Sequence, residues 1–147
     1  MIILAVDYGN ARTGLAVCDR GERLASPAGV IGEKGQARCI ETVVAEADRL
    51  GAERLVVGLP LNMDGSFGPR AQKCKDFAKQ LGERCRLPVD LWDERCTTLA
   101  AHRALNVTDT RGKKRKAVVD AVAAVMILEG YLAFRKNQLN DNKSNKE

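Results

Sequence analysis

The stretch that most restricts the fold is the opening one, where Ile2, Ile3, Leu4, Ala5 and Val6 run unbroken into Asp7. A strand wet on one face alternates apolar with polar residues, whereas an unbroken run rich in Ile and Val fits a strand covered on both faces. Covering both faces takes helices on either side of a sheet, so the chain reads as an α/β domain. Asp7 then falls at the strand's rim, ahead of Tyr8-Gly9-Asn10-Ala11-Arg12-Thr13-Gly14. Gly9 and Gly14 bracket a tight connection, and Leu15 to Cys18 resumes strand character, which makes the pair an antiparallel hairpin. Asp is also a common turn former after a strand. This stretch alone therefore leaves Asp7 open between a turn and a functional role.

Beyond Asp19-Arg20-Gly21-Glu22, Leu24 to Ile31 reads as a third strand, distorted or at a sheet edge because of Pro27. Three sequential strands make a meander. Ile40, Val43, Val44, Ala47 and Leu50 follow a 3.6-residue period, which predicts a helix over Gln36 to Leu50 with Gly51 as its stop. Arg54 to Gly58 is a short buried strand, and strand, crossover helix and strand form a right-handed parallel unit. A turn-rich loop, Leu59 to Pro69, leads into a helix over Arg70 to Leu81 with Pro69 in its first turn. The unpaired N–H groups at that helix start, with Ser66 and Arg70 beside them, suit a phosphate. An ordinary loop stitched by local Asn, Asp and Ser hydrogen bonds is the alternative. Pro88 to Trp92 forms the next strand, and Thr97 and Thr98 cap a short helix through His102 and Leu105.

That last strand delivers Asp93-Glu94-Arg95. Successive side chains of an extended chain point to opposite faces, so only one of Asp93 and Glu94 is expected to face a site, with Arg95 available to pair with either. Parallel strands place their carboxyl ends on one edge, which brings Glu94 and the loop after Gly58 to the same rim, joined by Asp7 if its strand is central. The final helix, Ala117 to Leu128, is apolar almost all round, and Asp120 is its single charge. A helix apolar on every side is buried. A carboxylate there costs several kcal/mol unless it is protonated, paired or facing a metal, and two other carboxylates at strand ends favour the metal.

The chain has 147 residues, 45% of them apolar, enough for one well-cored domain, expected over 1–135, with a polar, disordered tail over 136–147. No apolar run approaches a membrane span, and Met1 passes to Ile2 without a basic signal region, so a cytoplasmic protein is expected. The five cysteines are scattered without a C-x-x-C pair, and a single histidine, His102, excludes a multi-histidine metal site. Chemistry must lean on carboxylates. The formal net charge of +5 is concentrated at Arg111-Gly112-Lys113-Lys114-Arg115-Lys116, which fits a polyanionic partner and could fold over a phosphate backbone as a lid. The six aromatic residues leave no stacking platform, which favours recognition of backbone and shape.

Asp7, Glu94 and Asp120 are distant in sequence but can converge at one sheet rim with a helix packed over it. Oxygen-only ligands suit Mg²⁺ or Mn²⁺. Such a cluster can hold two ions about 3.5–4 Å apart, one activating a water and the other stabilising the leaving oxygen of a phosphodiester, with Asp7 as the bridge. A metal-dependent nuclease follows. Four segments in order then resemble the YqgF/RuvX family: Asp7-Tyr8-Gly9 through Arg12 and Gly14 to Asp19; Val57 to Ser66; Asp93-Glu94-Arg95 with Thr97-Thr98; and Lys113-Lys114 ahead of Val119 to Ala124. The resemblance spans Met1 to about Leu132. It implies an RNase H-like fold, with a mixed five-stranded sheet (antiparallel meander plus parallel strands) flanked by helices. It also implies a bacterial cytoplasmic nuclease, either processing pre-16S rRNA or resolving Holliday junctions. Carried over by position, the acidic triad falls on Asp7, Glu94 and Asp120, with Arg12, Asn62, Asp64 and Ser66 as neighbours. The expected substrate is structured RNA at the 5′ end of the small-subunit rRNA precursor, with branched DNA as the alternative, and the protein is expected to be a monomer or homodimer. A non-catalytic nucleic-acid-binding module is a further alternative. So is a nucleotide-binding module like one lobe of an actin-like ATPase, for which the chain is too short to supply the second lobe.

Overall fold

The computed structural model describes residues 1–32, 35–96 and 113–145, apart from the side chains of 96, 113–120 and 141–145. Five strands form one sheet: β1 (Ile3–Tyr8), β2 (Thr13–Cys18), β3 (Ala25–Ile31), β4 (Arg54–Leu59) and β5 (Val89–Asp93). Their order is β3-β2-β1-β4-β5. The meander pairs antiparallel, while β4 lies parallel to β1 and β5 parallel to β4. β1 is therefore the middle strand, as its unbroken apolar run requires. β3 is an edge, and the register of its pairing with β2 shifts between Leu15 and Ala16, opposite the segment that holds Pro27. The missing N–H of a proline is tolerated at such a place.

Helices cover both faces. α1 (Gln36–Leu50) and α2 (Pro69–Cys85) pack on one, and a long helix, α3 (Lys113–Asn145), crosses the other. α1 ends as expected, with Gly51 in the left-handed conformation capping the last turn. α2 continues one turn past Leu81 because Gly82 and Glu83 do not stop it, and Arg86 instead takes the left-handed terminal position. The strand period sorts β1 between the two layers. Leu4 and Val6 join Ile40, Val43, Phe77 and Leu81, and Ile3 and Ala5 join Ala123, Ala124, Ile127 and Leu128.

The expected disordered tail over 136–147 requires a correction, since α3 runs on through Asn145. Past Gly130 the chain contains neither Gly nor Pro, and extending an established helix costs far less than nucleating one. Arg135 also anchors this half, its Nε donating to Glu22 Oε1 at 2.6 Å, and Glu22 in turn meets the N-terminal ammonium at 3.1 Å. The expected helix from Thr97 and Thr98 through His102 and Leu105 lies outside the described residues, as does Arg111. Among the described residues no helix is long and apolar enough to cross a membrane.

Candidate active site

The carboxyl edge of the parallel strands carries the site. By the alternation of β1, Asp7 projects on the same side as Ile3 and Ala5, toward α3. It is 8% exposed. The register pairs Val6 with Val57, so the next residues, Asp7 and Gly58, lie side by side on that face. Gly58 is level with Trp92, and Glu94 follows two residues later, in a short 3₁₀ turn over Glu94–Cys96.

With strands about 4.8 Å apart, β1 and β5 are separated by roughly 10 Å, and β4 lies between them. The Glu94 side chain reaches about halfway across that gap. It leans over β4 until its Oε1 is 3.2 Å from where a Cβ on Gly58 would stand, and Ile127 Cδ1 of α3 comes within 2.5 Å of the same point. Only glycine admits both. Glu94, like Asp7, is 8% exposed, and the two line a cleft of about 180 Å³ together with Tyr8, Gly9, Asn10, Pro60, Arg70 and Cys74.

The walls of the cleft are held by polar contacts that the sequence does not announce. Arg70 Nη1 donates to Asn10 Oδ1 at 2.7 Å, its Nη2 donates to the Tyr8 carbonyl oxygen, and its guanidinium lies over the Tyr8 ring. This ties the β1–β2 loop to the start of α2. Tyr8 stacks on Phe77 with centroids 4.0 Å apart, and burial, with a smaller contribution from Cys39, pushes its phenol above the usual range. It therefore stays protonated at neutral pH. A Cβ on Gly9 would stand 2.1 Å from the Arg12 carbonyl oxygen, so this loop closes only with glycine there.

Asp93 and Glu94 divide as alternation requires. Asp93 accepts from Arg95 through both Nε and Nη2, and that hydrogen bonding holds its carboxyl below the ordinary range. Arg95 Nη1 reaches on to the Met63 carbonyl oxygen at 3.4 Å. The β4–α2 loop is stitched within itself: Asn62 Nδ2 donates to Ser66 Oγ at 3.0 Å, and Ser66 Oγ donates to Asp64 Oδ1 at 2.6 Å. Hydrogen bonds from the Ser66 hydroxyl and then its backbone N–H lower the Asp64 carboxyl.

The family model described as "RuvX: Holliday junction resolvase" matches residues 1–134. This chain belongs to the RuvX family. A RuvX relative from Halothermothrix orenii, named "Putative pre-16S rRNA nuclease", is 42% identical over 135 residues, 92% of this chain and 96% of the relative. A relative of the same name from Chloroflexus aurantiacus is 40% identical over 143 residues, 97% of this chain and 92% of the relative. Among solved structures, Thermus thermophilus RuvC in complex with Holliday junction substrate superposes with a TM-score of 0.59 at 14% identity, over 91% of this chain and 96% of that one. The fowlpox virus Holliday junction resolvase gives 0.54 at 14%, over 90% and 99%. At such identities the likeness is one of fold, and it places this RuvX chain's mixed five-stranded sheet with the RNase H-like folds.

Within the RuvX chain, the residues singled out from sequence fall into three groups. Asp7 and Glu94 come together in the cleft, and Arg70 lines it while bracing the hairpin. Arg12 sits half-buried in the hairpin loop, and Asn62, Asp64 and Ser66 are exposed on the β4–α2 loop; none of these four lines the cleft. Asp120, Lys113 and Lys114 lie in α3, their side chains outside the described residues. Among the described residues no group of three metal-binding side chains assembles. The sequence reading missed Gly58 as the spacer that admits Glu94. The signal for it was a glycine inside an apolar strand, which marks a close approach.

Proposed function

We propose that the chain is a divalent-metal-dependent endonuclease that cleaves phosphodiester bonds in structured RNA, with the 5′ end of the small-subunit rRNA precursor as its substrate and the cytoplasm as its place of work. The observation that carries this reading is the pair of nearly buried carboxylates, Asp7 and Glu94, in one cleft at the carboxyl edge of an RNase H-like sheet. The relatives' name and the net charge of +5 support it.

The donor set fits a hard cation. Asp7 and Glu94 offer oxygen alone, and the missing side chain at Gly58 lets the second carboxylate lie over the strand beside the first. Asp120 is the proposed third ligand, supported by its spacing of three, four and seven residues from Ala123, Ala124 and Ile127, which are buried against the sheet. Divalent ions bound there would polarise the phosphodiester and acidify an attacking water. The protein's own part is positional. Glu94 is fixed by the packing of Gly58 and Ile127, Asp7 by the central strand, and the cleft's outer wall by the bridge from Arg70 to Tyr8 and Asn10. The basic segment Arg111 to Lys116 is proposed to meet the phosphate backbone.

The second reading, resolution of four-way DNA junctions, is favoured by the family's description. Symmetric junction cutting would require a two-fold dimer. Side-by-side cleavage of rRNA precursor and four-way junctions, with wild type beside Asp7→Asn, separates the two. Preformed electrostatic groups at a reacting centre are each worth 10²–10³-fold, so Asp7→Asn should lose about a hundredfold to a thousandfold in rate while keeping its circular dichroism and melting curve. Full activity in that variant with metal present contradicts the proposal.

A further inference from the structure

We infer that the β4–α2 loop and the first turns of α2 form a nucleotide-gripping subsite beside the cleft, in which Phe67 and Met63 take one unstacked base and Lys75 takes its phosphate. The inference rests on the nuclease reading and adds a substrate class to it: nucleic acid with an unpaired nucleotide next to the cut. Met63 is 85% exposed and Phe67 53%, on one loop whose ends, Pro60 and Arg70, both line the cleft. A lone apolar side chain on a surface is unremarkable in energy, but two on the one short loop that joins two cleft-lining residues call for a reason.

The loop that carries them is held by polar groups, so its shape does not depend on burying either side chain. Asn62, Asp64 and Ser66 close the hydrogen-bonded turn, and Gly65, with φ near +88°, allows the reversal. Arg95, the neighbour of Glu94, grips the Met63 carbonyl and lies 3.3 Å from where a Gly65 Cβ would be. The loop's backbone at Met63 is thereby tied to the residue next to Glu94. Lys75 Nζ stands 5.3 Å from the Phe67 ring centroid, and Lys79 follows one turn later on the exposed side of α2. A half-exposed ring with a cation over one face offers what the two parts of a nucleotide need, a surface for its base and a charge for its phosphate. The chain's few aromatics exclude an extended platform, and one ring on this loop suffices for one base. A duplex keeps its base faces stacked, so the subsite discriminates in favour of a frayed or single-stranded neighbour.

The test uses two RNA hairpins, one blunt and one with a single-stranded extension carrying 2-aminopurine, bound to the full chain in an Asp7→Asn background. Stacking on an aromatic is worth about tenfold or more per base, so Phe67→Ala should raise Kd for the extended hairpin by about tenfold, with less than about twofold change for the blunt one. Phe67→Trp should restore binding and the fluorescence change. Lys75→Ala should lower the slope of log Kd against log salt by about one. Equal losses on both RNAs, or none on either, overturn the subsite. Cleavage of the same RNAs with the native Asp7 separates the two claims. If the protein with native Phe67 cleaves and Phe67→Ala cleaves both hairpins equally well, the subsite falls and the nuclease reading stands. Phe67-dependent binding without any cleavage supports the subsite and overturns the nuclease reading alone.

Discussion

The two faces of the sheet are built from residues of different size. Toward α1 and α2 the strands present Leu4, Val6, Leu15, Leu55 and Val57 against Ile40, Val43, Phe77 and Leu81. Toward α3 they present Ile3 and Val56 together with the smaller Ala5, Ala16, Cys18 and Gly58, against Ala123, Ala124, Ile127 and Leu128. Bulky side chains bury more apolar area, so the first face contributes more of the hydrophobic stabilisation. Small ones let backbones approach, and the spacing of packed elements follows the side chains between them. The second face holds a helix and a carboxylate close over β4, where the proposed chemistry lies. Stability and function thus divide between the layers of one sheet.

The comparison breaks most visibly at Leu81, fully buried on the bulky face and at the far end of α2 from the cleft. Leu81→Ala should cost about 3 kcal/mol in denaturant unfolding, as large-to-small core changes do, with the cleavage rate of the folded protein unchanged. A comparable loss of rate would show that the faces are not separable. Next comes Gly58→Ala, where the added methyl must displace Ile127 and crowd Glu94. Overpacking costs about 1–3 kcal/mol, and a displaced Glu94 should reduce cleavage by more than that stability loss explains. Adding Ile127→Val should return stability but not rate, because Glu94 remains crowded; recovery of both would mean that Glu94's position is immaterial.

The smallest effect belongs to Glu22, which fixes the distal half of α3. The hydrogen bond from Arg135, then the N-terminal ammonium, holds its carboxyl below the ordinary value. A depressed carboxylate adds stability above its unfolded pKa of about 4.3, and that stability disappears as pH falls through the folded value. Glu22→Gln should therefore cost about 1 kcal/mol at pH 7, and its unfolding curve should converge on that of wild type as the pH falls below about 4. Parallel curves at every pH would show that the ion pair contributes nothing.

Most of the sheet was legible because period and composition coincide. The unbroken run of β1, the 3.6 period of α1 and the glycine and proline punctuation each point to one local structure, and the structure agrees. The tail was misread because polarity argues against a core but not against a helix whose early turns are already packed. At the site, carboxylates at strand ends were visible, and so was the choice between Asp93 and Glu94. The roles of Gly58 and Arg70 were not, because each depends on a partner from another element. Gly58 matters through Ile127 and Glu94, and Arg70 through Tyr8 and Asn10.

The central claim is that Asp7 and Glu94 share a divalent cation. Calorimetric titration of the full chain with Mn²⁺, for wild type, Asp7→Asn and Glu94→Gln, tests it without any nucleic acid. Removing either carboxylate should weaken binding by at least about tenfold, since even groups that only support a metal's ligands are worth 10–100-fold. Mn²⁺ affinity unchanged in both variants would contradict it.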